Sequence, residues 1–302
     1  MTTHPGENND RRQIVKGFVK KSRFCLWTMR GAGQRSLAPS LRIGKIALAV
    51  GGFAAPAIAA DAFSTDWAAG AKSEARLVAA GRDLAGFEVR LAPGAITYWR
   101  DPGDAGVPPT FDFAGSENLA KAEPVFPAPK RIRESDGGEA YGYERDVVFP
   151  MKIEPGDPAK PVTLKLHANF AVCEKICLPA EARLALTLPG AGSPHAPLVE
   201  AALAAAPRPI PPKAFGDLAS DGADGWRLCA QAEAGPARDL FVEPPEGWWV
   251  SVAAAPAEAG RDCFRLTLRQ APKDAAPPVA LRLTLTGGAG PVETTVEAPA
   301  LR

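Results

Sequence analysis

Histidine, methionine and tyrosine are scarce in this chain, three of each among 302 residues. His4 and two of the methionines, Met1 and Met29, fall in the first sixty residues. The body therefore keeps two histidines, His167 and His195, and one methionine, Met151. With so few histidines and no nucleophile elbow, a Ser/His/acid hydrolase has no support. A Met- or His-rich copper motif is absent as well. The glycine clusters "GDAGVP" and "GGAGP" precede no helix, which argues against a phosphate-cradling loop. Apolar runs at helical period are also rare, whereas 31 prolines and 29 glycines supply frequent turns.

Basic charge is missing from the body. Residues 1–59 hold ten of the 35 Lys and Arg but only two of the 34 Asp and Glu, which leaves residues 60–302 at a formal −7. The near-neutral whole is thus a basic leader on an acidic body, and an acidic body without basic clusters does not suit nucleic acid. The leader reads as an export signal. In "SLRIGKIALAVGGFAAPAIAADAF", Arg42 and Lys45 flank an apolar run over residues 46–55, followed by small residues. Ala57-Ile58-Ala59 fits the small-x-small cleavage rule, with the cut near Ala59 and Ala60. The run is short for a bilayer span, so a cleaved signal is preferred to an uncleaved anchor. Translation starts at Met1 or at Met29, the latter giving an ordinary n-region.

The body reads as all-β. "LAGFEVRLAPGAITYWRDPG", "YGYERDVVFPMKIEP" and "PVTLKLHANFAV" are alternating runs cut by turn residues. Leu164, Leu166, Ala168, Phe170 and Val172 share one face at period two, as do Leu184, Leu186 and Leu188. Short strands with this punctuation predict an immunoglobulin-like β-sandwich over residues 60–190. Residues 196–206 predict a short helix, and the "PRPIPP" after it makes a stiff stop, so residues 191–212 form a linker with a boundary near residue 210. The strands beyond it predict a second, smaller β-sandwich-like domain over residues 213–302. In "PPEGWWV", one of Trp248 and Trp249 should point inward and the other outward.

Of the five cysteines, Cys25 lies in the leader and four remain: Cys173, Cys177, Cys229 and Cys263. In an exported chain each pair is a possible disulfide. Four residues of extended strand span about 13 Å, too far for a bond between Cys173 and Cys177 unless the chain reverses between them. The flanking strands require that reversal, so "CEKIC" is a hairpin tip with a cysteine at each shoulder. Closing so short a loop stabilises by roughly 2 kcal/mol, against nearer 4 for a loop of about 35 residues. A bridge at a loop tip is therefore either an exchangeable pair or a modest staple, and spacing alone leaves both open. Lys175 favours a thiolate there and Glu174 opposes it. Parity places Cys229 with Arg227 and Gln231, and Cys263 with Arg265 and Thr267, on polar strand faces. A cross-strand structural disulfide is the preferred reading of that second pair.

"NFAVCEKICLPAEARLAL", "TYWRDPGDAGVPPTFDFAGSENLA" and "FPAPKRIRESDGGEAYGYERDVVFPMKIEP" resemble the amino-terminal periplasmic domain of the DsbD/ScsB thiol:disulfide interchange family. The likeness covers roughly residues 75–190. It implies an immunoglobulin-like domain whose paired cysteines, here Cys173 and Cys177, take electrons from a membrane-embedded or thioredoxin-like donor and pass them to oxidised periplasmic proteins, the work of a protein-disulfide reductase component. In the family the second cysteine tends to bond the partner, which corresponds to Cys177. A family cap loop corresponds to residues 134–141, with Tyr141 as its covering aromatic, and aromatics beside the pair correspond to Tyr98 and Trp99. For these the alternative is ordinary core packing. Three residues separate the cysteines, as in the copper-tolerance branch, where enteric members have five. Membrane-spanning and thioredoxin-like parts are absent from this sequence, so a separate partner has to supply electrons. No cofactor or metal ligand set is assigned. The alternative function is a non-catalytic periplasmic module that binds a partner, or binds Cu(I) through Cys173 and Cys177; His167 is read as a surface strand residue beside that question.

Overall fold

The computed structural model describes residues 61–301, apart from 104–105, 134–137, 232–238, 274 and 276–277. The leader therefore lies outside the described residues, as do residues 134–137 of the expected cap loop. Among the described residues no helix is long and apolar enough to cross a membrane.

The first strands in chain order are β1 (Ala68–Gly70), β2 (Ser73–Ala79), β3 (Leu84–Leu91), β4 (Ile96–Gly103), β5 (Thr110–Asp112) and β6 (Leu119–Pro124). They continue with β7 (Lys130–Arg133), β8 (Glu139–Tyr143), β9 (Val147–Pro155), β10 (Thr163–Cys173) and β11 (Cys177–Thr187). Two sheets result: β1-β2-β3-β9-β6, and β11-β10-β4-β8-β7 with β5 added to β10. The chain then forms α1 (Ala196–Ala204), β12 (Arg208–Pro209), α2 (Pro212–Phe215), β13 (Gly216–Ser220), β14 (Gly225–Ala230), β15 (Asp239–Glu243), β16 (Trp249–Glu258), β17 (Arg261–Gln270), β18 (Val279–Thr286) and β19 (Val292–Ala298). These strands build the sheets β12-β19-β18-β15 and β13-β14-β17-β16. The architecture is all-β: an immunoglobulin-like sandwich and a further β unit.

Period-two patterning explains the first sandwich. Leu164, Leu166, Ala168, Phe170 and Val172 of β10 are buried, and so are their neighbours Ala180, Ala182, Leu184 and Leu186 on β11. They face Leu77, Phe87, Val89 and Phe149 of the other sheet in one apolar cluster. Phe87 is its centre, edge-on to Phe170 at 5.8 Å and to Phe111 at 5.7 Å. Burying each such ring stabilises by roughly 1.5–3 kcal/mol, which is what makes a slip of one residue in β10 prohibitive. The opposite face of the first sheet is also apolar at Val78 and Val148, and α1 covers it with Val199. Asp61 ties the start of the described chain to the beginning of this helix through the His195 ring at 2.7 Å. The hydrogen bond from His195, with that from the Phe63 N–H, holds the Asp61 carboxyl down at about 2.

The second pair of sheets closes on its own cluster, in which Trp226, Leu228, Phe264, Leu266, Leu281 and Leu283 are buried. Trp248 packs against that cluster, while Trp249 at the start of the edge strand β16 is exposed. One buried aromatic of this unit does not join it: Phe241 of β15 belongs to the core of the first sandwich.

Candidate functional site: a disulfide at a hairpin tip

Cys173 ends β10 and Cys177 begins β11, directly opposite each other in the antiparallel register. They are joined by a disulfide, with Cα atoms 4.1 Å apart. Their neighbours differ. β10 is an inner strand, and Cys173 also sits opposite Ile96 of β4. Among the described residues β11 is the edge of its sheet, with no strand beyond Cys177. In consequence Cys173 is only 4% accessible, whereas Cys177 and the tip residues 174–176 are exposed. One sulfur is offered to a visitor and the other is kept behind it.

Tyr98 covers the buried side. Its hydroxyl lies 2.7 Å from Sγ of Cys173 and 3.2 Å from Sγ of Cys177. A disulfide sulfur carries no proton, so the phenol is the donor. Tyr98 is itself 1% accessible and clusters with Ala140, Ala171 and Cys173 on the outer face of the sheet. The neighbouring Thr97 anchors the same strand by donating its hydroxyl to the Ala171 carbonyl at 2.9 Å. Gly106 then crosses the phenol ring. A Cβ there would stand 2.3 Å from a ring carbon, at a φ of +108° that other residues rarely adopt. Gly106→Ala is thus expected to push the phenol off the sulfurs and to cost about 1–3 kcal/mol in urea unfolding.

Trp99 and Tyr141 lie elsewhere. They point from the same sheet into the first sandwich, where both rings meet Phe241, at 5.9 and 4.9 Å. Tyr141 is in β8, after the undescribed residues 134–137 of the expected cap segment, and its ring is turned toward the core. Alternation along β4 separates the adjacent Tyr98 and Trp99: one covers the disulfide and the other faces the interior.

Two hollows flank the sulfurs. One, of about 540 Å³, is apolar, with Val107, Pro108, Phe170, Leu178 and Pro179 around Cys177. The other, of about 440 Å³, is lined by both cysteines with Ile96, Ile132, Arg133, Glu144 and Lys175 among its walls. Val107 and Ile176, exposed at 59% and 68%, stand at the rims. At the tip Glu174 is ion-paired with Lys72 in the β1–β2 turn. The hydrogen bond and charge of Lys72, with a smaller contribution from Lys175, hold the Glu174 carboxyl below its ordinary value. Glu174 is therefore occupied by Lys72, and Lys175 lines the hollow that both cysteines share. His167 is on β10 well before the pair and meets Glu181 at 3.3 Å.

Sequence reasoning passed over Gly106, Val107, Thr97 and Lys72. The run "DPGDAGVPP" carried a signal in its glycines, since a backbone that must cross a ring closely needs one. The second pair, Cys229 and Cys263, is also a disulfide, between directly opposed residues of β14 and β17. Both sulfurs are buried, outside the apolar cluster, on the strand face that carries Arg227. The ion pairs Arg227–Glu258 and Arg261–Asp217 lie on that side.

Together the fold and the site define an immunoglobulin-like β protein with a half-shielded disulfide at a hairpin tip. Residues 65–189 match the family model described as thiol:disulfide interchange protein DsbD, N-terminal. The chain is similar in fold to the crystal structure of the N-terminal periplasmic domain of ScsB from Proteus mirabilis, with a TM-score of 0.64 at 19% identity, over 80% of this chain and 100% of that one. That span exceeds residues 65–189, so the likeness continues into the second pair of sheets. No curated protein sequence matches the chain.

Proposed function

We propose that the chain is a periplasmic thiol:disulfide interchange protein. Cys173 and Cys177 pass electrons from a membrane-embedded or thioredoxin-like dithiol donor to oxidised periplasmic proteins. The observation that carries this reading is the asymmetry of the pair: Cys177 open on an edge strand, Cys173 buried under the Tyr98 hydroxyl. The family match over residues 65–189 supports it.

The chemistry follows from that asymmetry. A donor thiolate attacks Sγ of Cys177, the Cys173–Cys177 bond breaks, and its electron pair leaves on Cys173. The leaving thiolate forms 2.7 Å from a phenol already aimed at it. A hydrogen bond to a charged acceptor is stronger than one to a neutral sulfur, so Tyr98 favours departure of Cys173. The second donor thiolate then attacks its partner sulfur in the mixed disulfide and releases Cys177 as a thiolate. The donor has become a disulfide, and two electrons have reached the pair. In the second half Cys177 attacks the disulfide of an oxidised substrate, and Cys173 resolves the resulting bond. The apolar hollow with Val107 and Leu178 beside Cys177 suits the flat, apolar surroundings of a partner's active cysteine.

The reduction potential of the pair in glutathione buffers tests the role. It is expected to lie above about −300 mV, the level below which disulfides resist exchange. A value far below that level marks a staple. Tight Cu(I) binding by the reduced pair, with no transfer to any disulfide, supports the copper-binding alternative instead.

A further inference from the structure

β4 pairs with β8 through Thr97↔Tyr143 and Tyr98↔Gly142, and the ladder then breaks until Gly103↔Ala140. Four residues of β4, numbers 99–102, thus stand opposite one residue of β8, Tyr141. A bulged stretch of this length lacks the regular ladder that would otherwise fix it. It begins at the residue after Tyr98.

The bulge is held from the other unit. Arg100 donates Nε to Glu243 at 2.8 Å and Nη2 to Glu243 at 2.7 Å and to Glu293 at 2.8 Å. Its guanidinium lies over the Trp99 ring, 4.3 Å from the centroid. Trp99 and Tyr141, on the two sides of the bulge, close on Phe241. Arg131, on the strand beyond Tyr141, makes a two-pronged contact with Asp239 at 2.9 and 3.0 Å. Asp239, Phe241 and Glu243 are alternate residues of β15, so one strand face supplies most of the clamp. The intervening Leu240 and Val242 pack into the core of their own unit. Half-buried charges are costly unless paired, and here each carboxylate meets a guanidinium.

We infer that the second pair of sheets is a positioning element for the redox pair: Phe241, Glu243 and Glu293 fix the bulged part of β4 and thereby hold the Tyr98 hydroxyl against Cys173 and Cys177. The inference builds on the exchange reading and gives the second unit a task in it. Phe241, Glu243, Glu293 and Arg100 are positioning residues, since none of them touches a sulfur.

A double-mutant cycle on the full chain tests this. The fraction of Cys173–Cys177 reduced is read in glutathione buffers by alkylation and mass spectrometry, which follows that pair apart from Cys229–Cys263. Tyr98→Phe is expected to shift the equilibrium toward the disulfide by roughly tenfold, because the reduced thiolate loses a hydrogen bond to charge. Glu243→Gln/Glu293→Gln is expected to shift it the same way by about threefold or more, and to add nothing in a Tyr98→Phe background. Phe241→Leu, which leaves the ion pairs in place, is the second variant should the double substitution unfold; its shift is expected to vanish likewise with Tyr98→Phe. Folded variants with no shift overturn the inference, and so does a shift that persists in full without the phenol. Failure of the wild-type chain to transfer electrons to any protein disulfide overturns the exchange role alone, since the glutathione equilibrium is read without a protein partner.

Discussion

Cys177→Ala is expected to reduce electron transfer about 10³-fold or more, to the background of the buffer, because the reacting nucleophile itself is removed. Cys173→Ala is expected to behave differently. It leaves an exposed thiol at position 177 that can attack a substrate disulfide but has no neighbour to resolve the product. Mixed disulfides with partner proteins should therefore accumulate with Cys173→Ala and be absent with Cys177→Ala. Non-reducing electrophoresis, with a thioredoxin-like protein as the partner, reads the difference directly. The asymmetry comes from strand order: Cys173 lies between β11 and β4, whereas Cys177 lies on the sheet edge. Equal trapping by both variants would mean that the tip opens far enough to expose either sulfur, and the assignment of roles to the two cysteines would fail. The cost of either substitution to stability is small, since the bridge closes only a short loop worth roughly 2 kcal/mol.

This hairpin was legible because its evidence is local. The alternation of Leu164 through Val172 and of Leu184 through Leu188 names the buried face, and two such strands around three residues require a reversal. The same parity put Cys229 and Cys263 off the apolar face, and the two strands that carry them are adjacent. Tyr98 was harder. "AITYWR" offers apolar residues to both faces of β4, so alternation alone does not say whether Tyr98 or Trp99 meets the sulfurs. Pro102, with no N–H to donate, marks an interruption in this strand, but nothing in residues 99–102 says where pairing resumes on a strand forty residues away. Phe241 shows the limit most clearly. "DLFVE" reads as an ordinary strand with Leu240 and Val242 inward, and its other face looks solvent-bound because two acids flank the ring. Only the arrival of Arg100 and Arg131 from the first sandwich turns those acids into half-buried ion-pair partners and Phe241 into a core residue. Such long-range pairings have no signature in either segment alone.

The two disulfides should separate under mutation, and the second is expected to show the larger effect on stability. Cys229 and Cys263 are 34 positions apart. Closing a loop of that length restricts the unfolded chain far more than the five-residue ring does, and Cys229→Ala/Cys263→Ala is expected to cost about 4 kcal/mol. Urea unfolding monitored by tryptophan fluorescence measures it, with Trp226 reporting from the core that the bridge borders. Transfer through Cys173 and Cys177 is expected to persist in the fraction that remains folded, because the second bridge touches neither hollow at the hairpin tip. Access gives the same order on reduction. Both sulfurs of the second bridge are buried, with Glu258 3.7 Å from Cys229, and an attacking thiolate would first have to displace that carboxylate and its Arg227 partner. Graded dithiol should accordingly open Cys173–Cys177 well before Cys229–Cys263. A folded Cys229→Ala/Cys263→Ala protein that has lost transfer would instead place the second pair on the electron path, and the division of labour between a working bridge and a structural one would have to be abandoned.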